Sequence, residues 1–121
     1  MSIAFKCVFL AILFPYVFTV LAKTGRGFDN RRPREILARL QGWRKRAHWV
    51  QLNSFEILPA FAAAVIIATI STGSRQAIDN LALGFLASRV AYALCYLGNQ
   101  ALLRSLFWGI GFGCIMGIFF I

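Results

Sequence analysis

Acidic residues are scarce in this chain. Of its 121 residues only four are Asp or Glu and one is His, against 13 Lys and Arg. Charged residues make up 14% and hydrophobic ones 60%, a balance that excludes an ordinary water-soluble domain. The lone histidine, His48, has no second metal ligand in register, so it reads as an interfacial residue and not as part of a metal centre. The three cysteines, Cys7, Cys95 and Cys114, form neither a CxxC pair nor a zinc spacing. A disulfide framework is therefore not expected, and packing roles are expected for all three. No cysteine, serine or pair of carboxylates is arranged as a protein nucleophile.

Long apolar runs take the place of charge. Four stretches, roughly 3–22, 47–70, 77–98 and 102–121, each approach the ~20 residues that a spanning helix needs. They predict an all-α membrane protein, a single domain over 1–121 built as a four-helix up-down-up-down bundle. The first run is longer than the apolar part of a signal peptide and ends at Lys23 without a small-residue cleavage pattern, so it is expected to stay as a helix. The net charge of +9 is concentrated in the connector 23–46, where nine Lys/Arg meet two acids for a net +7. Such a connector holds its loop in the cytoplasm and attracts anionic headgroups. With no nucleic-acid-binding fold or aromatic platform beside it, no nucleic-acid partner is expected. Within the connector Pro33 is placed to open a short amphipathic helix, and Trp43 and Trp49 read as interfacial anchors. The loop between spans two and three carries Arg75 and Asp79, which nearly cancel, and is assigned to the exterior. In the last span Gly109, Gly113 and Gly117 recur every four residues, a face suited to close helix contact.

Two polar constellations interrupt the apolar runs. Asn53 and Glu56 share a helical face with Arg46, Ala60, Ala63 and Ala64, while Arg89, Tyr92 and Tyr96 share one in the next span. A carboxylate facing lipid costs several kcal/mol, so the Glu56 face must turn into protein or water. Counted from the connector side, Glu56 and Arg89 fall at the same depth, roughly 14 Å. A structural ion pair between Glu56 and Arg89 is therefore expected, with Asn53, Tyr92, Tyr96, Arg46 and Arg104 forming a polar funnel above it. Taken alone, Glu56 reads first as a polar lock between helices.

With these residues in place the chain resembles the MAPEG family, the membrane-associated proteins in eicosanoid and glutathione metabolism. The resemblance rests on Arg46–Ala47 and Asn53-x-x-Glu56-x-x-Pro59 in span two, and on Arg89-x-x-Tyr92-x-x-x-Tyr96 in span three. Arg104–Ser105 follows as in the prostaglandin E synthase branch, and the connector is similar to that of short bacterial members. The resemblance implies a homotrimer, in a bacterial inner membrane, that binds glutathione as thiol co-substrate between neighbouring subunits. Arg46, Asn53, Glu56, Tyr92 and Tyr96 would line that site, and Arg104 would be the catalytic residue that stabilises the thiolate. Tyr92 replaces a histidine of the prostaglandin E synthase branch, Trp108 replaces a tyrosine, and the interval from Tyr96 to Arg104 differs by about one residue. A specific prostaglandin isomerase is accordingly disfavoured.

The resemblance thus implies a glutathione-dependent transferase or peroxidase acting on a lipophilic electrophile or lipid hydroperoxide. The alternative is a non-catalytic lipid-binding or partner-presenting membrane protein on the same scaffold. Small multidrug exporters also have four short spans, but they rely on a carboxylate in the first span, and this first span has none.

Overall fold

The computed structural model describes residues 1–25, 27–71 and 73–121. Arg26, counted in the basic connector, and Thr72, in the loop between spans two and three, lie outside the described residues. The apolar runs fold as helices because backbone groups crossing a bilayer must satisfy one another within each segment. Helix α1 spans Ile3–Ala22, α2 Pro33–Ala38, α3 Gly42–Ile70, α4 Arg75–Leu97 and α5 Ala101–Phe119. Four of them, α1, α3, α4 and α5, are long and apolar enough to cross a membrane, and no strand is present among the described residues. This is an all-helical, multi-pass integral membrane protein.

Local signals set the boundaries. The Ser2 Oγ accepts from the Phe5 N–H at the start of α1, and the Ser74 Oγ accepts from the Ala77 N–H at the start of α4. Pro33 opens α2, where its missing N–H costs nothing. Helix α3 begins at Gly42, five residues before the apolar run, because no breaker separates Trp43–Arg46 from it. Gly42 enters with φ +67°, a conformation that favours glycine.

In the bundle, α1 packs along α3 and α4 along α5, with α3 and α4 closing the middle. The core centres on the stacked rings of Phe61 and Phe85, whose centroids lie 4.0 Å apart. Small residues surround them: Ala4, Cys7 and Ala11 from α1, Ala64 from α3 and Ala82 from α4. Their size lets the backbones approach closely. A second cluster, Phe18, Val50, Tyr92 and Ala93, fills the connector end. There Leu37 of α2 packs down onto Ala22 and Ala47, pinning the connector to the bundle. The Lys45 ammonium donates to the Ala38 carbonyl at 2.9 Å, capping α2.

Two readings of the sequence are corrected. Asp79 is not a loop charge balanced by Arg75. Helix α4 starts two residues early, which puts Asp79 in its second turn beside Ile78 and Ala82, buried, with Oδ1 accepting from the Ala4 N–H at 2.8 Å. The close approach on α5 is also not made by the Gly109–Gly113 face, where an added Cβ would meet nothing within 4 Å. Gly111 makes it instead, where a Cβ would stand 2.7 Å from the Ser88 Oγ, and Gly117 approaches Leu81.

Candidate functional site

Arg89 is the most buried charged residue among the described residues, 2% exposed. Its Nη2 donates to the Asn53 Oδ1 at 2.8 Å and to the Ser54 Oγ at 3.3 Å. Its guanidinium carbon lies 4.2 Å from the centroid of the Tyr92 ring, a cation–π contact strengthened by exclusion of water. Nε and Nη1 are buried and have no hydrogen-bond partner among the described residues.

The expected Glu56–Arg89 ion pair is absent: the only ion pairs among the described residues join Arg32 and Arg39 to Asp29 and Glu35 in the connector. Helix phase gives the reason. The inward stripe of α3 is Val50, Ser54, Ile57, Phe61, Ala64 and Ala68. At 100° per residue Asn53 sits roughly 60° from the centre of that stripe and Glu56 roughly 120° from it. Asn53 and Ser54 can therefore both reach Arg89, while the Glu56 side chain is exposed on the outer surface.

Two adjoining recesses open at the connector end. One, of about 320 Å³, is lined by Trp49, Leu52, Asn53, Glu56, Tyr92 and Tyr96. The other, of about 240 Å³, is lined by Tyr92, Tyr96, Arg104, Ser105 and Trp108. Tyr92 and Tyr96 are shared and stand edge to face, with centroids 5.6 Å apart. The Arg104 guanidinium lies over the Tyr96 ring at 4.5 Å, so the altered interval from Tyr96 does not turn it away. A carboxylate and an amide oxygen thus occupy one end of the combined cleft and a cation with a hydroxyl the other, with two phenols between them. Such an array suits a small zwitterion whose ammonium and anionic groups lie a few bonds apart.

Arg46 is placed otherwise. Its Nε and Nη2 donate to the Leu97 carbonyl at 3.3 and 3.1 Å, so it caps the C-terminus of α4, and it lines neither recess. A cation at a helix C-terminus also meets the negative end of the helix dipole. Ser54, Ser105, Trp49 and Trp108 were not singled out as site residues by the sequence. Ser54 was legible in principle, one position from Asn53 on the inward side; the tryptophans read only as anchors or as a departure from a pattern. Among the described residues no cluster of His, Cys, Asp and Glu could hold a metal ion.

Four helices long and apolar enough to span a membrane, with an arginine–tyrosine cleft at one end, define a small polytopic membrane protein. The model of the MAPEG family matches residues 3–121, nearly the whole chain, and the protein belongs to that family. No curated protein and no solved structure shows a significant match to it.

Proposed function

We propose that this protein binds glutathione in the cleft around Tyr92 and Tyr96 and uses it as a thiol co-substrate against a lipophilic electrophile or lipid hydroperoxide. The observation that carries the reading is the polarity of the cleft, with Glu56 in one recess and Arg104 in the other. Glutathione has an ammonium that Glu56 and the Asn53 oxygen would receive, and a thiolate that Arg104 and the Ser105 hydroxyl would stabilise. A neighbouring cation lowers a thiol's pKa and raises the fraction of the attacking form. In a transfer reaction the sulfur forms a bond to the electrophilic carbon and the leaving group departs with its electron pair. With a hydroperoxide the thiolate takes the outer oxygen, the O–O bond breaks to release the alcohol after protonation, and a second glutathione closes the disulfide with loss of water.

The assembly belongs to the same proposal. Glu56 lies on the outside of a single chain, where lipid would be a costly neighbour. A second copy covering α3 would enclose it, which supports a homotrimer with the cleft between subunits. The connector would face the cytoplasm of a bacterial inner membrane, as its charge favours. In a Cys-free background, a cysteine at Ser74 should then label from outside intact cells and one at Gly27 should not; the opposite pattern would invert this topology.

The decisive test uses purified protein, glutathione, a generic aryl electrophile and a lipid hydroperoxide. The parent should show near-ultraviolet thiolate absorbance on adding glutathione, and turnover. Arg104→Ala should lose both while still binding glutathione. The alternative, a non-catalytic lipid-binding protein on this scaffold, draws on the apolar wall that Trp108 builds by stacking on Phe112 at 5.3 Å. Glutathione binding with neither thiolate nor turnover would favour it.

A further inference from the structure

The opposite end of the bundle holds a cavity that the proposed chemistry does not use. It measures about 310 Å³ and lies where α1 and α4 begin and α3 ends, lined by Arg75, Asp79, Thr69, Ser2, Phe5 and their neighbours. Asp79 is 8% exposed and gives one oxygen to the Ala4 N–H; no described residue hydrogen-bonds its other oxygen. The remaining acidic side chains, Asp29, Glu35 and Glu56, lie in the connector or midway along α3, so Asp79 is the only acidic side chain at its end. Arg75 stands one helical turn from it, at i and i+4, yet forms no ion pair with it or with any other described acid. A cation and an anion are therefore both presented to one cavity, a turn apart and not neutralising each other.

The cavity is not isolated. At Phe5 and Met1 it meets an apolar groove of about 550 Å³ lined by Phe5, Val8, Phe9 and Ile12 of α1 and Ile66 of α3, with Lys6 at its edge. Phe5, Phe9 and Ile12 succeed one another at helical spacing, so the groove runs about 10 Å along the bundle wall. Lys6 has no acidic partner among the described residues.

We infer that this cavity and groove together hold one phospholipid with a primary-amine headgroup, of the phosphoethanolamine type. Its ammonium meets Asp79, its phosphate meets Arg75 with Lys6 in reach, and one acyl chain lies on Phe5, Phe9, Ile12 and Ile66. Charge complementarity selects the class. A choline headgroup has no N–H to give the buried carboxylate, and a glycerol headgroup brings no cation and leaves Asp79 facing a phosphate. The site sits at the end of the spans away from the Tyr92–Tyr96 cleft and is independent of the glutathione reading.

The test is native mass spectrometry of the full chain in detergent, titrated with phosphatidylethanolamine, phosphatidylcholine and phosphatidylglycerol of identical acyl chains and with soluble phosphoethanolamine. The parent should bind the ethanolamine lipid about tenfold more tightly than the other two, the ratio that one hydrogen bond to a charged group sustains. Soluble phosphoethanolamine should not saturate where the lipid does. Asp79→Asn keeps an oxygen for the Ala4 N–H and should erase the amine preference. Arg75→Gln, at an exposed first-turn position, should weaken all three lipids several-fold without changing the melting temperature; it carries the test should Asp79→Asn fail to fold. Equal binding of the three lipids by the parent, a preference that survives Asp79→Asn, or affinities unmoved by Arg75→Gln would each overturn the proposal. So would soluble phosphoethanolamine binding as tightly as the lipid, or disulfide cross-linking of Phe9→Cys copies through the groove with no lipid retained.

Discussion

Helix α4 buries two charges ten residues apart, and each is accommodated by a different kind of partner. Asp79, near the start of the helix, accepts a backbone N–H from the first turn of α1. Arg89, roughly 15 Å further along, donates to two side-chain oxygens on α3 and rests on an aromatic face. Neither uses an opposite charge. In a bundle this small, neutral groups that already face inward meet a buried charge without bringing a second ion out of water, and the desolvation of that second ion is the larger cost. The two ends differ in what they leave over. The Arg89 end keeps two unpartnered N–H-bearing nitrogens in the packed interior, while the Asp79 end keeps a carboxylate oxygen beside an open cavity.

That comparison can be broken by substitution. Arg89→Leu should have the largest effect: it removes both bonds to α3 and leaves Asn53 and Ser54 unpaired, for about 3 kcal/mol of stability. Thermal unfolding in detergent measures it, and a melting curve like the parent's would show that the Arg89 contacts do not hold α3 to α4. Asp79→Ala comes next, at about 1–3 kcal/mol, because a single N–H of α1 loses its acceptor. Asp79→Asn should recover most of that loss; if it does not, the charge and not the acceptor matters at this end. Asn53→Asp sharpens the point by supplying the ion pair that the native chain lacks. Stability should stay within about 1 kcal/mol of the parent, since the added attraction is offset by burial of a second charge. Glu56→Gln should have the smallest effect, with unfolding unchanged, because the carboxylate forms no ion pair among the described residues. In glutathione titrations the same variant should raise the concentration needed for saturation, which separates a ligand contact from a structural lock.

Much of the architecture was legible in the sequence because bilayer thickness and hydropathy leave little choice: four apolar runs became four helices, and Pro33 began α2 where its missing N–H is free. Depth counting set Glu56 level with Arg89, but the guanidinium reaches Asn53 and Ser54, within a turn of that level. What failed was angle. Asn53 and Glu56 differ by roughly 60° around α3, and a depth argument cannot tell which of them faces α4. Phase was fixed by Phe61 stacking on Phe85 and by the small residues that let α1 approach, a packing outcome with no local signature. Asp79 was missed for another reason: its partner is a main-chain N–H, and main-chain groups leave no mark in a sequence. Arg46 was read as a ligand contact for the same cause, since what it holds is the Leu97 carbonyl.

The turn between α4 and α5 is three residues long, and its geometry is tightly specified. Asn99 takes φ +60°, its N–H donates to the Tyr96 carbonyl, and the Gln100 N–H donates to the Cys95 carbonyl at 2.8 Å, closing the end of α4 in a Schellman arrangement. Helix α5 starts one residue later. The turn therefore acts as a phase setter, like the offset between two gears on one shaft. Its length decides which residue of the first turn of α5 stands over Tyr96, and here that residue is Arg104. One residue more would rotate α5 by roughly 100° and carry the guanidinium off the ring while leaving every apolar position apolar. Chains that share these helices but differ by a single turn residue would keep the same hydropathy profile and the same spans, and present different chemistry to the cleft.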